Sequence, residues 1–249
     1  MCFRFAGVEV SYILEPPFKN TLLRRFNSPL IERLRLKPVR FEVGQEIEDT
    51  GKSIANLYFL EEGMASMTTT FANGQQVEVG MFGYESVIGV SALMGTKQSL
   101  NRVYTQIAGC GYGCTWDVAK AEFDKGGQFE RLTLRYVQAQ LVQAVQSAAC
   151  NASHKSDQRL ARWLLITADR VNTNQFKMSQ EFLSHMLGGT RPTVTVAAGH
   201  LKKENLIEYK HGVITIVDRN GLEKRSCECY QVVRDHLADY EAFDTGHTS

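Results

Sequence analysis

Short apolar and β-branched runs, broken by glycines, dominate the chain from about Val39 to Phe123. The run NLYFLEEGMASMTTTF is interrupted at Gly63, and the Asn73-Gly74 pair that follows is a strong signal for a tight hairpin turn. Further glycines recur at the short intervals typical of a small antiparallel barrel or roll. The pattern predicts an all-β unit. Apolar residues at helical spacing in TLLRRFNSPLIERLRL predict one or two short helices ahead of it.

The pattern becomes that of one long helix after Gly126-Gly127. No glycine or proline occurs from Gln128 to about His154, and apolar residues repeat there at spacings of 3, 4, 3 and 4. These residues are Leu134, Val137, Leu141, Ala144 and Ala148. A narrow stripe with this repeat favours a seam between two copies of the helix. A helix packed on its own β unit, which needs no second chain, is the alternative.

Two helices with a sharp corner between them are predicted within SQEFLSHMLGGTRPTVTVAAGHL. Ser179 is a good N-cap for the first helix, and Gly188 can take the left-handed conformation that ends it. Thr190 can cap the second helix, with Pro192 in its first turn. Two helices joined by so short a turn form a helix-turn-helix, whose second helix can enter the major groove of DNA.

Elements on either side of this corner complete the C-terminal half. DQRLARWLLITADRV predicts an amphipathic helix, and two β-branched runs around His211-Gly212 predict a hairpin over 207–217, which would act as a wing. GLEKRSCECYQVVRDHLADYEAF predicts one further helix, followed by a polar tail. From Lys177 to Lys210 there are five basic residues (Lys177, Arg191, Lys202, Lys203 and Lys210) against three acidic ones (Glu181, Glu204 and Glu208). This excess is modest, so the argument for DNA binding depends on the pattern of elements.

The stretch MSQEFLSHMLGGTRPTVTVAAGHLKKENLIEYKHGVITIVDRNGLE resembles the DNA-binding domain of the CRP/FNR family of bacterial transcription regulators. The family signature is matched at Gly188, Arg191, Thr193, Val194, Leu201, Leu206, Ile207, Tyr209, Gly212 and Ile214. LYFLEEGMASM and GYESVIG are similar to the family's β-roll, so the resemblance covers roughly 26–223. It implies an α+β chain with an N-terminal antiparallel β-roll of the double-stranded β-helix or jelly-roll type, a long dimerisation helix and a C-terminal winged helix-turn-helix. The expected bounds of these three domains are 20–126, 127–155 and 156–243.

The resemblance also implies roles for individual residues. Arg191 would read a base edge, most readily guanine. Pro192 stands where well-known members often carry an acidic residue, and Val196 where they often carry a second arginine, so the operator should differ from theirs. The full expected DNA-binding set is Ser179, Gln180, Thr190, Arg191, Pro192, Thr193, Thr195, Val196 and Lys202. The expected partners are a pseudo-palindromic duplex, a second copy of the chain and, for an activator, RNA polymerase.

Composition limits the function classes. The chain has 249 residues and a net charge of +1, so bulk charge cannot hold a polyanion and a local surface must do so. Its apolar runs are too short to span a bilayer, and its first residues lack the pattern of a secretory signal. We expect a cytoplasmic protein without a membrane partner. It is not expected to be an enzyme, because no nucleophile elbow, P-loop or HExxH motif occurs in the sequence.

An effector pocket in the roll is expected around Gly83, Glu85, Ser86 and Arg102. In family members that bind cyclic nucleotides, a glycine-glutamate pair and a later arginine-serine pair hold the ligand. Here Arg102 is followed by Val103, which cannot make the hydroxyl contact. A cyclic phosphate needs convergent donors to offset its desolvation, so we expect no cyclic nucleotide to bind.

The six cysteines, Cys2, Cys110, Cys114, Cys150, Cys227 and Cys229, are expected to be free and mostly buried thiols. Cys227-x-Cys229 and Cys110-x₃-Cys114 are not paired CxxC motifs, and the i, i+4 pair of Cys150 and His154 is a spacing common by chance. Only Cys2 lies near the N-terminus, where oxygen-sensing members group the ligands of an iron–sulfur cluster. The roll also contains no histidine to bind haem. We therefore predict no metal, no iron–sulfur cluster and no other cofactor.

One alternative of a different class stays open at this point. The chain could be a small-molecule-binding or redox-sensing module that has lost DNA binding. Replacing Arg191 separates the two hypotheses, because operator binding would collapse only in a DNA-binding regulator.

Overall fold

A computed structural model describes residues 17–242. Its first elements are a 3₁₀ turn, Leu23–Arg25, and a helix α1, Ser28–Leu34, in agreement with the short helices predicted ahead of the roll. α1 begins where the sequence favours it, because the Asn27 side chain accepts a hydrogen bond from the Leu30 amide at 2.9 Å.

Within residues 17–242, the N-terminal sheet has six antiparallel strands. They are β1 Lys37–Phe41, β2 Glu46–Glu48, β3 Asn56–Thr70, β4 Gln76–Phe82, β5 Val87–Ile88 and β6 Arg102–Thr115, with a 3₁₀ turn at Val90–Met94. The order is β1-β6-β3-β4, with β2 paired to β6 and β5 to β3. The hairpin predicted at Asn73-Gly74 joins β3 and β4, and Gly74 has the positive φ of 81° that its turn needs. The predicted β-roll is thereby confirmed.

Two details of the predicted roll are wrong. β3 and β6 are 15 and 14 residues long, so not all glycines mark turns between short strands. Gly109 and Gly111 lie inside β6, where an added Cβ would be 1.9 Å from the Glu62 carbonyl oxygen and 2.1 Å from that of Phe59. They allow two long strands to cross closely. In addition, Trp116–Phe123 forms a helix, α2, at the end of the stretch predicted to be all β.

The long helix α3 spans Gln128–Ser153. Phe129, Leu132 and Tyr136 on one of its faces are buried in the core that it shares with α1, α2 and the sheet. Its C-cap is His154, with extended backbone angles. α3 thus joins the roll to the C-terminal half.

In the part of the chain that the structure describes, the C-terminal half has five helices and a small sheet. The elements are α4 Ser156–Val171, β7 Gln175–Lys177, α5 Gln180–Leu187, α6 Arg191–Lys203, β8 Ile207–Lys210, β9 Val213–Ile216, α7 Arg219–Arg225 and α8 Cys229–Ala242. The strands are antiparallel in the order β7-β9-β8, which confirms the predicted wing hairpin. Leu164, Leu183, Val194 and Leu201 fill the core between α4, α5 and α6. This half is the predicted winged helix-turn-helix.

The single helix predicted near the C-terminus is in fact two. α7 ends at Arg225, and its C-cap, Ser226, has an extended ψ of 165° and a hydroxyl that donates to the Glu223 carbonyl at 2.8 Å. A serine that bonds backbone in this way competes with continuation of the helix. Cys227 lies in the break, and α8 starts at Cys229 and packs along α3.

Two expectations fall outside the described residues, namely those for Cys2 and for the polar tail that ends the chain. Within 17–242, no helix combines the length and the apolar character that crossing a membrane requires.

Candidate nucleic-acid interface

The corner between α5 and α6 is built by a cap and two glycines. The Ser179 hydroxyl oxygen accepts a hydrogen bond from the Phe182 amide at 3.1 Å and so starts α5. α5 ends at Leu187, its C-cap Gly188 has a φ of 57°, and the Gly189 amide donates back to the Ser184 carbonyl at 3.0 Å. The chain therefore turns sharply before α6 begins.

One face of α6 packs on the core, and the opposite face is exposed to solvent. Val194, Ala197, Ala198 and Leu201 are buried, as the apolar periodicity predicts. Thr190 takes the N-cap position, but its hydroxyl lies 3.1 Å from the Thr193 hydroxyl and makes no cap hydrogen bond to the backbone. The backbone amides of Arg191 and Thr193 are therefore left for solvent or for an anion, whereas Pro192 between them has no N–H.

The exposed side of α6 carries most of the predicted DNA-binding residues. Gln180, Thr190, Arg191, Pro192, Thr195, Val196 and Lys202 are exposed, and Thr193 is half-buried. The Arg191 guanidinium lies 3.4 Å from the Glu181 carboxylate, and both side chains are more than 60% exposed. A pair so exposed to solvent is weak, so Arg191 can exchange Glu181 for another acceptor at little cost. The Thr195 hydroxyl donates to the Arg191 carbonyl at 3.0 Å.

The wing supports the same corner. His211 and Gly212, with φ values of 50° and 74°, form the turn between β8 and β9. The Tyr209 hydroxyl donates to the Met178 carbonyl at 3.0 Å, and the Met178 amide donates to the Gly212 carbonyl at 2.7 Å. These bonds hold the wing tip beside the residue that precedes the α5 cap.

The corner also touches the roll of its own chain. Gln75, at the β3–β4 hairpin, donates to the Gly188 carbonyl at 3.4 Å, and Tyr104 packs edge-on against Phe182. Nearby, the Trp163 indole donates to Glu78 on β4 at 2.9 Å. Burial raises the pKa of Glu78 to about 7.

The expected effector residues are only partly brought together. The buried Glu85 carboxylate accepts from the Ser86 hydroxyl at 3.0 Å, and the same hydroxyl accepts from the Gly83 amide at 3.1 Å. Arg102 has different partners: it bonds to Glu46 at 2.7 Å and lies over the Tyr104 ring. The structure thus groups three of the four residues and places Arg102 in another environment.

A cation that the sequence reasoning missed occupies the place beside Glu85. Arg170 of α4 donates to Glu85 at 2.7 Å and to Gln143 of α3 at 2.6 Å. Both ionic side chains are almost fully buried. The adjoining cavity, lined by Glu85, Tyr136 and Gln143 among others, has a volume of about 20 Å³, roughly that of one water molecule. The pair therefore joins roll, long helix and winged half.

A second group was not anticipated. Cys150, His154, Cys227 and Cys229 lie together, with one possible ligand atom from each within 4.8 Å of the others. The prediction of no metal rested on treating the Cys150–His154 pair and the Cys227-x-Cys229 pair as separate. The structure brings the two pairs together. No spacing rule could have found the group, because it depends on packing α8 against α3 and on the helix break at Ser226. Cys110 and Cys114 are in the roll, apart from this group.

Comparison with known proteins assigns the helix-turn-helix part of the chain to a family. Residues 158–225 match the family model of the Crp-like helix-turn-helix domain. Over 218 residues, the chain is 23% identical to the global nitrogen regulator of Synechococcus elongatus, an alignment that covers 83% of this chain and 97% of that protein. The global nitrogen regulator of a Nostoc species is 24% identical over 187 residues, covering 71% of this chain and 83% of that one.

The fold is similar to that of solved regulators. The Thermus thermophilus regulator TTHB099, of the CRP family, superposes with a TM-score of 0.64 at 21% identity, covering 76% of this chain and 96% of that one. FixK2 from Bradyrhizobium japonicum superposes with a TM-score of 0.65 at 16% identity, covering 77% and 98%. The similarity therefore extends over the roll, the long helix and the winged half.

Proposed function

Because the chain belongs to the CRP/FNR family of DNA-binding transcription regulators, we propose that it binds a two-fold operator as a homodimer, with the first turn of α6 in the major groove. The observation that carries the proposal is the open first turn of α6, which a rigid corner and a wing hold in place. The proposed parts are a roll over 20–126 that receives a signal, a dimerisation helix over 127–155 and a DNA-binding domain over 156–243.

Sequence readout is assigned mainly to Arg191. Its planar guanidinium can donate two hydrogen bonds to one guanine, and its exposed pair with Glu181 is weak enough to be exchanged for the base. Pro192 and Val196 offer apolar contacts, which suit the methyl group of thymine. Val196 is 58% exposed, so its side chain is accessible for such a contact.

Phosphate contacts are assigned to the polar residues around the corner. The Ser179 hydroxyl accepts its cap bond and still has a proton to donate. Gln180, Thr190, Thr193 and Thr195 lie at the starts of α5 and α6, and Lys202 lies on the exposed side of α6. Helix N-termini favour anions, so these residues fix register on the duplex and do not themselves select bases.

The proposed dimer interface is the outer face of α3. Leu134 and Leu141 of the predicted seam are 45% and 62% exposed in the single chain, and Ala144 and Ala148 are exposed beside them. Val137 is half-buried. Val145, which the predicted seam omits, is 61% exposed on the same helix. An apolar stripe of this length on a long helix is the surface that a second copy would cover.

The effector is proposed to be something other than a cyclic nucleotide. Arg170 of the same chain already neutralises Glu85, Arg102 pairs with Glu46, and the cavity at Glu85 holds about 20 Å³. A ligand with a ribose and a cyclic phosphate would need a far larger pocket. An effector changes DNA binding only if its affinities for two arrangements of the dimer differ.

The remaining expected partner and location follow from the same proposal. A regulator of this type works where the DNA is, in the cytoplasm, and an activator among them contacts RNA polymerase.

The test is selection of bound DNA from a random duplex library by the purified protein, without added ligand. The variants are Arg191→Ala and, as a matched control, Arg40→Ala, which removes an exposed arginine from β1 of the roll. We expect a two-fold motif with the wild type and Arg40→Ala and none with Arg191→Ala. Equal enrichment by all three proteins would show that a surface other than α6 contacts the bases. If no protein enriches a motif, even with cyclic nucleotides or under reducing, anaerobic conditions, the result favours the alternative, a small-molecule-binding or redox-sensing module that has lost DNA binding.

A further inference from the structure

Three separate parts of the chain meet where α3 ends. Cys150 is in the last turn of α3, and His154 is its C-cap. Cys227 lies in the break between α7 and α8, and Cys229 is the first residue of α8. The three cysteines are at most 3% exposed and form a small buried cluster of their own.

The distances within the group suit one metal ion. The sulfur atoms of Cys150 and Cys227 are 3.5 Å apart, and the Cys229 sulfur is 3.6 Å from His154 Nδ1. Zn–S bonds of about 2.3 Å and Zn–N bonds of about 2.0 Å place the ligand atoms of a tetrahedron roughly 3.5–3.8 Å apart. All four atoms lie within 4.8 Å of one another, so small side-chain rotations close them on an ion. A cluster of several irons would need them farther apart.

We propose that Cys150, His154, Cys227 and Cys229 bind one zinc ion in a closed tetrahedral site. Three thiolates and one imidazole form a donor set that zinc prefers over hard cations. Four protein ligands leave no open position, and burial keeps water out, so the site is structural or regulatory and does not catalyse a reaction.

The surroundings of the ligands support this choice. The His154 Nε2 atom is 3.2 Å from the Glu228 carboxylate, which orients the ring so that Nδ1 is the atom facing Cys229. The Gln146 amide donates to the Cys229 sulfur at 3.0 Å, as suits a thiolate. Three thiolates and one zinc ion leave a net charge of −1, and two buried or half-buried arginines of α4, Arg159 and Arg162, lie near enough to act on that charge.

The ion would bind at the junction between α3 and α4. His154 and Lys155 are the residues between α3 and α4, where the long helix passes into the winged half. Cys227 and Cys229 belong to the α7–α8 segment that follows the wing. Zinc would therefore fix the end of α3 to the C-terminal helix and stabilise the fold whether or not the chain binds DNA.

The first experiment measures metal in the full-length protein purified under reducing conditions from zinc-supplemented medium. We expect about one zinc ion per chain, as a mononuclear site requires. Cys227→Ala should lose the zinc, whereas Cys114→Ala, which removes another buried thiol from the roll, should keep it. Equal zinc in both variants, or none in the wild type, would overturn the proposal.

A second measurement needs no variant and so does not depend on one folding. After chelation of zinc from the wild type, the melting temperature should fall, and added Co²⁺ should give the intense visible bands of tetrahedral thiolate coordination, which zinc then abolishes. No such bands, stoichiometric iron at these residues, or a Cys150–Cys227 disulfide in place of a metal would contradict the zinc site. None of these outcomes depends on operator binding, so failure here is distinct from failure of the proposed function.

Discussion

Arg191 is the side chain from which the proposed base readout follows. Arg191→Lys keeps the charge but loses the two-pronged donor, so we predict an affinity loss of about 1–3 kcal/mol that is confined to one base pair of each half-site. Lys202→Ala should instead weaken binding to all duplexes alike. It should also lower by about one the slope of log affinity against log salt concentration. Fluorescence anisotropy with matched and single-substituted duplexes distinguishes the two patterns. If Arg191→Lys lowers the affinity for all duplexes equally, Arg191 contacts a phosphate and does not read a base.

The buried pair of Glu85 and Arg170 gives a prediction about stability. Arg170→Met leaves the buried Glu85 carboxylate without its cation, so it should cost about 3–5 kcal/mol of unfolding free energy. Adding Glu85→Gln should recover most of the loss. Lys37→Met, at an exposed position of β1, is the control and should change little. Urea unfolding measures all of these proteins, and no recovery in the double variant would show that the loss comes from packing.

The same pair shows why the sequence identifies Glu85 but not its partner. Glu85 could be singled out, because it lies in a short stretch with a family resemblance. Its cation could not be identified, because Arg170 is 85 positions away and meets Glu85 only when α4 packs on the roll. Arg102 is near in sequence, but it sits at the start of β6 and pairs with Glu46.

At the scale of elements, Glu78 links β4 to α4. Burial raises its pKa from 4.5 to about 7, although Ser66 and Trp163 donate to it and two arginines, Arg162 and Arg170, act in the opposite direction. The folded protein thus keeps this proton at pH values where the unfolded chain has lost it. Stability should fall as the pH rises from about 4.5 to about 7 and then level off.

Glu78→Gln tests this link, because glutamine can still accept from Trp163 and donate to Ser66. Relative to the wild type, the variant should gain on the order of 2–3 kcal/mol between pH 5 and pH 7.5. Denaturant unfolding at a series of pH values gives the difference. A constant difference across this range would show that Glu78 does not titrate there.

The outer face of α3 yields the prediction on assembly. Val145→Arg places a charge in the proposed seam and should weaken the dimer at least about tenfold, since a buried unpaired charge is costly. Val43→Arg is the matched control, because Val43 is a 70% exposed valine in the loop after β1. Size-exclusion chromatography with light scattering over a dilution series reports the mass. Equal behaviour of both variants would place the interface elsewhere.

Periodicity and turn chemistry predicted most elements of the fold. Ser179, Gly188 and the His211-Gly212 turn were correctly placed, because capping and positive φ depend on nearby residues. The glycines inside β6 and the break after α7 were not. Gly109 is required by its contact with β3, and the side chain of Ser226 ends a helix that apolar spacing alone would continue.

In the whole molecule, the winged half rests on the roll of its own chain. The hairpin residue Gln75 reaches Gly188, Trp163 bonds to Glu78, and Gln106 of β6 donates to the Met178 sulfur at 3.0 Å. Movement of β4 would thus reach the corner directly, without passing through α3. Together with the Glu85–Arg170 pair, these contacts join the roll to the winged half and are the contacts through which the proposed signal would have to act.

The measurement that tests the account most directly compares the affinity of the wild type for a complete two-fold site with that for a single half-site. If two α6 helices of one dimer bind together, the complete site should bind at least about 100-fold more tightly, since the second contact becomes intramolecular. Inserting about half a helical turn between the half-sites should abolish this gain. Equal affinity for one half-site, the complete site and the lengthened site would contradict dimeric readout through α6.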